Sequence, residues 1–281
     1  MAFLISLELA KPATHVYHYH SAGWLRECAK WDDLHRRFIV SFMGGGVGQI
    51  SVPEDHSPET VLEEVQVIND VDLTGNASLG LVIDRSGIGS FWHVVGCDEK
   101  SFADDVAVDA EGNAYVTDFR ANKIWKVGED GKLVSIIRSP LFTAKEWYKN
   151  LGGLNGIVHH PDGFLLVVHT FGGSLFKIDI GKEGDHEVKL IKVSGGPLTF
   201  GDGLELLSPT KLVVAGNNPS GRLVESSDGW DTASVVATFN GPRHRVATAA
   251  TIKDGKVYLN HLLGFGYPKK KHALVEAVFS A

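Results

Sequence analysis

The chain has 281 residues, 43% of them hydrophobic and 22% charged, with 32 glycines and a formal net charge of -7. That mixture can bury a large core and is too apolar for a disordered segment, while the acidic balance argues against a nucleic-acid partner. Two cysteines, Cys28 and Cys97, are too few for a disulfide framework and form no metal-type pair, so both are expected as free thiols.

Taken in chain order, the first residues, "MAFLISLELAKPATHVYHYH", lack a basic leader region, and Glu8 interrupts the apolar run. They read as the start of the fold. No stretch reaches the ~18 to 20 apolar residues of a membrane span, so the expectation is a soluble, cytoplasmic protein with no membrane partner. Next comes a strand-like segment, Thr14 to His20, and then a layout that recurs: a polar residue, a short strand, a turn, a second strand rich in Val, Leu or Tyr. It appears as "ECAKWDDLHRRFIVSF" from Glu27, "LGLVIDRSGIGSF" from Leu79, "DDVAVDAEGNAYVTDF" from Asp104, "NGIVHHPDGFLLVVHTF" from Asn155, "DGLELLSPTKLVVAGN" from Asp202 and "ATAATIKDGKVYLNH" from Ala247. A short helical period is expected only in "SPLFTAKEWYKNL" around Trp147. Lys269 to Lys271 read as a solvated loop, and "HALVEAVF", His272 to Phe279, as a last strand.

Four of the five intervals between these starts are about 45 to 52 residues, the length of a four-stranded propeller blade. The expected fold is therefore all-β: a six-bladed β-propeller, residues 1–281 forming one domain, with the ring closed by N- and C-terminal strands. The interval from Leu79 to Asp104 is about half as long as the others, so the second blade is expected to be shortened. Phe91, Trp92 and Val94 would then rebuild a strand or cover the neighbouring blades.

In a propeller the loops that begin each innermost strand share one mouth of the central channel, and the second strands return to that mouth. Glu27, Asp104, Asn155 and Asp202 hold equivalent positions at that mouth, while Leu79 and Ala247 leave the other two places apolar or small. Three carboxylates and an amide converging on an axis lose hydration and repel one another unless a cation neutralises them. Oxygen-only donors suit Ca²⁺, with Mg²⁺ next. Asp202 or Asp104 would serve as base or nucleophile; His169 and His261, which end second strands, are further catalytic candidates. Phe119 and Phe171 are candidates for contacting a hydrophobic small-molecule substrate. Asp105 reads as structural.

With these residues the chain resembles the SMP-30/gluconolactonase group of six-bladed propellers, which includes diisopropylfluorophosphatase and paraoxonase types, and within it a plant branch described as calcium-dependent phosphotriesterase-like or strictosidine-synthase-like. The resemblance covers the whole chain apart from the short second blade. It implies one catalytic divalent cation held in the channel by a Glu, two Asn and an Asp. Glu27 in "LRECAKWDD", Asn155 in "GLNGI" and Asp202 in "FGDGLEL" match three of those places, and Asp104 stands where the group commonly has Asn. The implied activity is Ca²⁺-dependent hydrolysis of lactones or related esters. The alternatives are a non-hydrolytic condensing or isomerising enzyme of plant small-molecule metabolism, and an NHL-like binding propeller without turnover. Strictosidine synthases use a late glutamate; Glu276, the only one after Glu225, lies inside an apolar strand, so that activity is not carried over.

Overall fold

The structure is a computed structural model, described here over residues 13–68, 79–83, 89–90, 101–181, 186–242 and 244–280. Phe91, Trp92, Val94 and Cys97 lie outside the described residues, and with them most of the stretch expected to be the reduced second blade.

The chain enters as β1 (Val16–Ser21) and continues through β2 (Arg26–Asp32), β3 (Arg37–Phe42), β4 (Val47–Ser51), β5 (Leu62–Glu63) and β6 (Val65–Ile68). A two-stranded pair follows, β7 (Val82–Ile83) and β8 (Gly89–Ser90). Then come three runs of four: β9 (Ala103–Val108) to β10 (Ala114–Asp118), β11 (Lys123–Val127) and β12 (Leu133–Arg138); β13 (Leu154–His160) to β14 (Phe164–His169), β15 (Ser174–Asp179) and β16 (Val188–Ser194); β17 (Gly201–Ser208) to β18 (Lys211–Gly216), β19 (Gly221–Glu225) and β20 (Thr232–Phe239). The last strands are β21 (Ala247–Lys253), β22 (Lys256–His261) and β23 (Lys270–Glu276). Among the described residues, helical turns are confined to the 3-10 segments Pro140–Phe142 and Trp147–Leu151, in the stretch that carried the helical period.

The strands pair as antiparallel meanders: β2-β3-β4-β6, β9 to β12, β13 to β16, and β17 to β20. In the remaining sheet β21-β22-β23 is completed by β1, which pairs antiparallel with β23 from Val16↔Val275 to Ser21↔Lys270. The two ends of the chain therefore close one sheet, as expected. β16 and β20 pair in parallel at their outer edges, so each covers an edge that would otherwise offer unpaired N–H and C=O groups.

Side chains alternate across each strand, and both faces are buried. In β14, Leu165 and Val167 enter a cluster with Tyr115, Ile124 and Phe176 on one side, while Leu166 and Val168 enter a cluster with Leu204, Val214 and Trp230 on the other. A strand with period-two alternation and two packed faces reads as a continuous apolar run, which is why "FLLVVH" has no polar interruption before its end. A third cluster joins Tyr17, Tyr19 and Leu274 to Phe38, Val40 and Ile50, locking the closing sheet to the first meander.

The first strand of each meander lies innermost. β9 packs beside β13, β13 beside β17, β17 beside β21 and β21 beside β2, with β7 touching both β2 and β9. Each first strand in the larger sheets pairs with its second across a β-bulge near its start: between Arg26 and Ala29, opposite Thr117 in β9, between Leu154 and Ile157, between Gly201 and Leu204, and between Ala247 and Ala249. A bulge re-aims the extra residue away from the regular pleat. The residues so displaced are Glu27, Asp104, Asn155, Asp202 and Thr248.

The turn between β9 and β10 is organised by Asp109, whose carboxylate accepts from the N–H groups of Glu111 and Asn113, the Asn113 amide and the Tyr115 hydroxyl. Burial alone would raise its pKa; these donors outweigh burial and hold the carboxyl below the usual range. Asp109→Ala is expected to cost about 1–3 kcal/mol. Because the folded-state pKa is depressed, this stabilisation is present above the ordinary carboxylate pKa and is lost as pH falls through the lower folded value. Urea denaturation of both proteins at neutral pH and near pH 3 should show the gap between them shrinking in acid.

Candidate functional site

Glu27, Leu79, Asp104, Asn155, Asp202 and Thr248 all line one open bowl of about 300 Å³. Five of them, all but Leu79, also line a cavity of about 10 Å³ beneath it, together with Cys28, Lys30 and Asp105. That volume holds one water-sized sphere. The four oxygen-bearing residues singled out in the sequence are thus brought together. On β21 the bulged position is held by Thr248, not by Ala247, which stands one place too early and packs in the core.

Two features aim these side chains inward. The first is the glycine that follows two of them. A Cβ on Gly156 would lie 2.2 Å from the Asp202 carbonyl, and one on Gly203 2.6 Å from the Thr248 carbonyl. Asn155-Gly and Asp202-Gly are therefore pairs in which glycine lets the next inner strand approach. The second is a set of clasps from neighbouring sheets. Thr117 Oγ1 donates to the Asn155 carbonyl at 2.7 Å, and Ser41 Oγ to the Leu79 carbonyl at 2.6 Å. The Glu27 carbonyl receives both Thr248 Oγ1 and the Asn260 amide.

The acids face one another closely enough to oppose ionisation. Burial, then Asp202, Asp104 and Asp105, push the Glu27 carboxyl well up. Burial, then Asp202, Asp105 and Asp118, do the same to Asp104. Asp202 is pushed up to about 8 by burial and by Asp105, against a hydrogen bond from the Asn155 side chain and one from the Gly203 N–H. Among the described residues no three His, Cys, Asp or Glu side chains are already drawn together at metal-ligand spacing. Three carboxylates and an amide oxygen around a cavity of this size are nonetheless the donor chemistry of a hard cation that tolerates irregular geometry. The residues present fit such an ion.

Above the floor, the wall is apolar. Phe119 and Phe171 line it, as do Phe102, Phe200, Met43, Val246 and Leu262. Phe102 meets Phe119 and Phe171 meets Phe200 edge-on, with ring centroids 6.2 Å and 5.6 Å apart. Asp118 organises this rim: its Oδ1 accepts from the N–H groups of Phe102, Arg120 and Ala121. The two acids that begin and end the β9-β10 pair therefore have separate jobs, Asp104 on the floor and Asp118 in the wall's turn. Phe200 has φ +61°, a left-handed conformation that costs a non-glycine residue about 1–2 kcal/mol. Its N–H donates to Thr170 O and its carbonyl accepts from Asn217 N–H, which hold it there.

His169 and His261 end second strands as expected, but the structure does not bring them into the bowl. Both are buried, and the residues that line the bowl are those just after them, Thr170, Phe171 and Leu262. Burial lowers the His169 pKa to about 4 and that of His261 to about 3, so both rings are neutral near pH 7. Asp105 sits in the channel where other inner strands have Gly, Cys or Ala, accepting from the N–H groups of Val106 and Ile157. Burial raises it to about 6, against the pull of Lys30. Phe102, Phe200 and Thr248 went unread in the sequence. The first two are apolar residues before inner strands, where only a polar side chain stands out from the pattern, and Thr248 is displaced by a bulge that leaves no mark in the hydrophobic pattern.

No protein-family model and no curated protein matches the chain. Among solved structures it is similar to the major Malassezia sympodialis allergen Mala s 1, with TM-score 0.66 and 14% identity over 93% of this chain and 96% of that one. It is similar to a putative gluconolactonase, with TM-score 0.58 and 13% identity over 98% and 96%. A catalytically inactive histidine-to-alanine variant of virginiamycin B lyase from Staphylococcus aureus, with quinupristin, matches with TM-score 0.54 and 11% identity over 92% and 82%. At such identities the likeness speaks for the fold alone, and the fold is an all-β propeller.

Proposed function

We propose that this chain is a divalent-cation-dependent hydrolase of lactones or related esters, of SMP-30/gluconolactonase type, built on a six-bladed propeller in which the β7-β8 pair belongs to the second blade. The observation that carries the reading is the convergence of Glu27, Asp104, Asn155 and Asp202 on one ion-sized cavity at the floor of an apolar bowl. These four residues would hold the ion, Ca²⁺ before Mg²⁺. When bound, it would supply a Lewis acid for a carbonyl or phosphoryl oxygen.

The chain's own residues do the rest. Asp202 lines both the small cavity and the bowl, and in its ionised form, which a nearby cation would favour, its carboxylate can take a proton from a water held between them. Asn155, donating to Asp202, fixes the orientation of that carboxylate. The four phenylalanines and Leu262 exclude water from the upper bowl and favour an ester with an aryl or alkyl arm. The likeness to a structure described as a putative gluconolactonase supports this reading at the level of fold.

The similarity to virginiamycin B lyase opens a second reading, a lyase. The inactive variant of that enzyme lacks a histidine, whereas among the described residues no histidine lines this bowl, which favours the hydrolase. The test is a panel of lactones, aryl esters and phosphotriesters assayed with calcium and with chelator. Turnover of a lactone or ester that chelator abolishes is the expected result. Absence of metal-dependent turnover across the panel would favour a binding propeller or a lyase instead.

A further inference from the structure

The channel below the acid floor contains a cation of its own. Three residues after Glu27 on β2, Lys30 sends its Nζ to Glu205 Oε2 on β17 at 2.5 Å and to the Ala250 carbonyl on β21 at 3.1 Å. Lys30 and Asp105 line both the 10 Å³ cavity and a wider one of about 340 Å³ at the lower end, which Glu205 also lines. Counting three residues on from each bulged position gives Lys30, Ala107, Val158, Glu205 and Thr251. In this second tier the two charged residues are thus paired with one another, and the others are apolar or a hydroxyl. Among the described residues lining these three cavities, Lys30 is the one cationic side chain; five acids share them, Glu27, Asp104, Asp105, Asp202 and Glu205, of which Glu27, Asp105 and Glu205 feel its charge.

We propose that Lys30 is the resident cation of the lower channel, its ammonium standing where an ion would otherwise be needed, so that the acid column stays folded when the upper site is empty. An ammonium here has two effects. It ties β2 to β17 and β21 by hydrogen bonds between the inner strands. It also supplies positive charge to carboxylates that would be buried unpaired without it, a costly state. Glu205, ahead of Asp105, holds the ammonium in its charged form against the effect of burial. Where the proposal concerns a divalent cation it rests on the proposed metal site; where it concerns stability without metal it does not.

The experiment compares wild type, Lys30→Gln, Lys30→Met and the neutral pair Lys30→Gln/Glu205→Gln by melting temperature in chelator. NaCl and then CaCl₂ are raised in turn. Lys30→Gln removes the charge and leaves a shorter, neutral donor on the same face. In chelator at low salt, Lys30→Gln and Lys30→Met are expected to melt about 5–10 °C below wild type. They should regain more of that loss than wild type gains as either salt is added. The neutral pair, which needs no counter-charge, should melt closer to wild type and guards against Lys30→Met failing to fold. Wild-type melting of Lys30→Gln in chelator, or a loss that no cation reduces, would overturn the proposal by making Lys30 a packing residue. A wild type that binds no calcium would count against the metal site and leave the chelator and NaCl results to decide Lys30.

Discussion

Asp202→Asn is expected to lower kcat/KM for the hydrolysed ester by about 10²–10⁴-fold, the usual contribution of a positioned general base. The same substitution should leave the melting temperature in chelator unchanged or higher. The reason is electrostatic. Asp202 is half-buried beside Asp105, and both its burial and that neighbour oppose its ionisation. An amide of the same shape keeps the packing and removes the cost of holding an acid at a place that opposes its ionisation. Activity thus falls without a loss of stability, which a merely structural residue would not produce. Should both fall together, Asp202 holds the strands and the catalytic assignment fails. Steady-state kinetics and differential scanning fluorimetry on one preparation read both.

The second large effect is expected in the fold. Arg26, buried and next to Glu27, donates through Nε to Glu64 Oε2 at 2.5 Å and through Nη2 to Glu64 Oε1 at 2.7 Å, while its guanidinium lies 3.8 Å from the centroid of Phe42. Both side chains are about 95% shielded from solvent, and the Glu64 N–H donates to the His20 carbonyl of β1. This pair fastens the segment between β5 and β6 to the closing sheet and to the strand that carries Glu27. Arg26→Met leaves the Glu64 carboxylate buried and unpaired, at a cost of about 3–5 kcal/mol, roughly 6–20 °C in melting temperature. The double variant Arg26→Met/Glu64→Leu, with neither charge, should recover most of it. Two single losses that simply add in the double variant would show the bidentate pair contributes nothing as a pair.

How far the sequence could be read depended on whether a feature is local. Asn155-Gly and Asp202-Gly announce themselves, because an acid or amide followed by glycine before an alternating strand marks a bulge where another backbone comes close. The pairing of Thr14 to His20 with the last strand was legible from two unmatched β segments at opposite ends. The β16 to β20 edge contact was not, since it joins strands whose partners are set by the stacking of whole sheets. The histidines were misjudged by one or two places. A strand-end position fixes the height in the channel but not the face, and the backbone turns between His169 and Phe171 and between His261 and Leu262, so the later residue of each pair faces the bowl. Lys30 escaped notice because its partner Glu205 is distant in sequence and only ring closure brings β2 and β17 to a common axis. Asp105, which reads as structural beside Asp104 in the sequence, lines the channel cavity as well.

The claim on which the rest depends is that the acid floor binds one divalent cation in the folded chain. Titrating calcium into chelator-stripped protein by calorimetry, with a parallel melting curve and Asn155→Ala as the comparison, tests it directly. The account predicts one ion per chain for the wild type and weaker binding for Asn155→Ala. It also predicts a stabilisation of about 2.7 kcal/mol when free calcium is a hundredfold above the dissociation constant. No binding heat and an unchanged melting temperature in the wild type would contradict it.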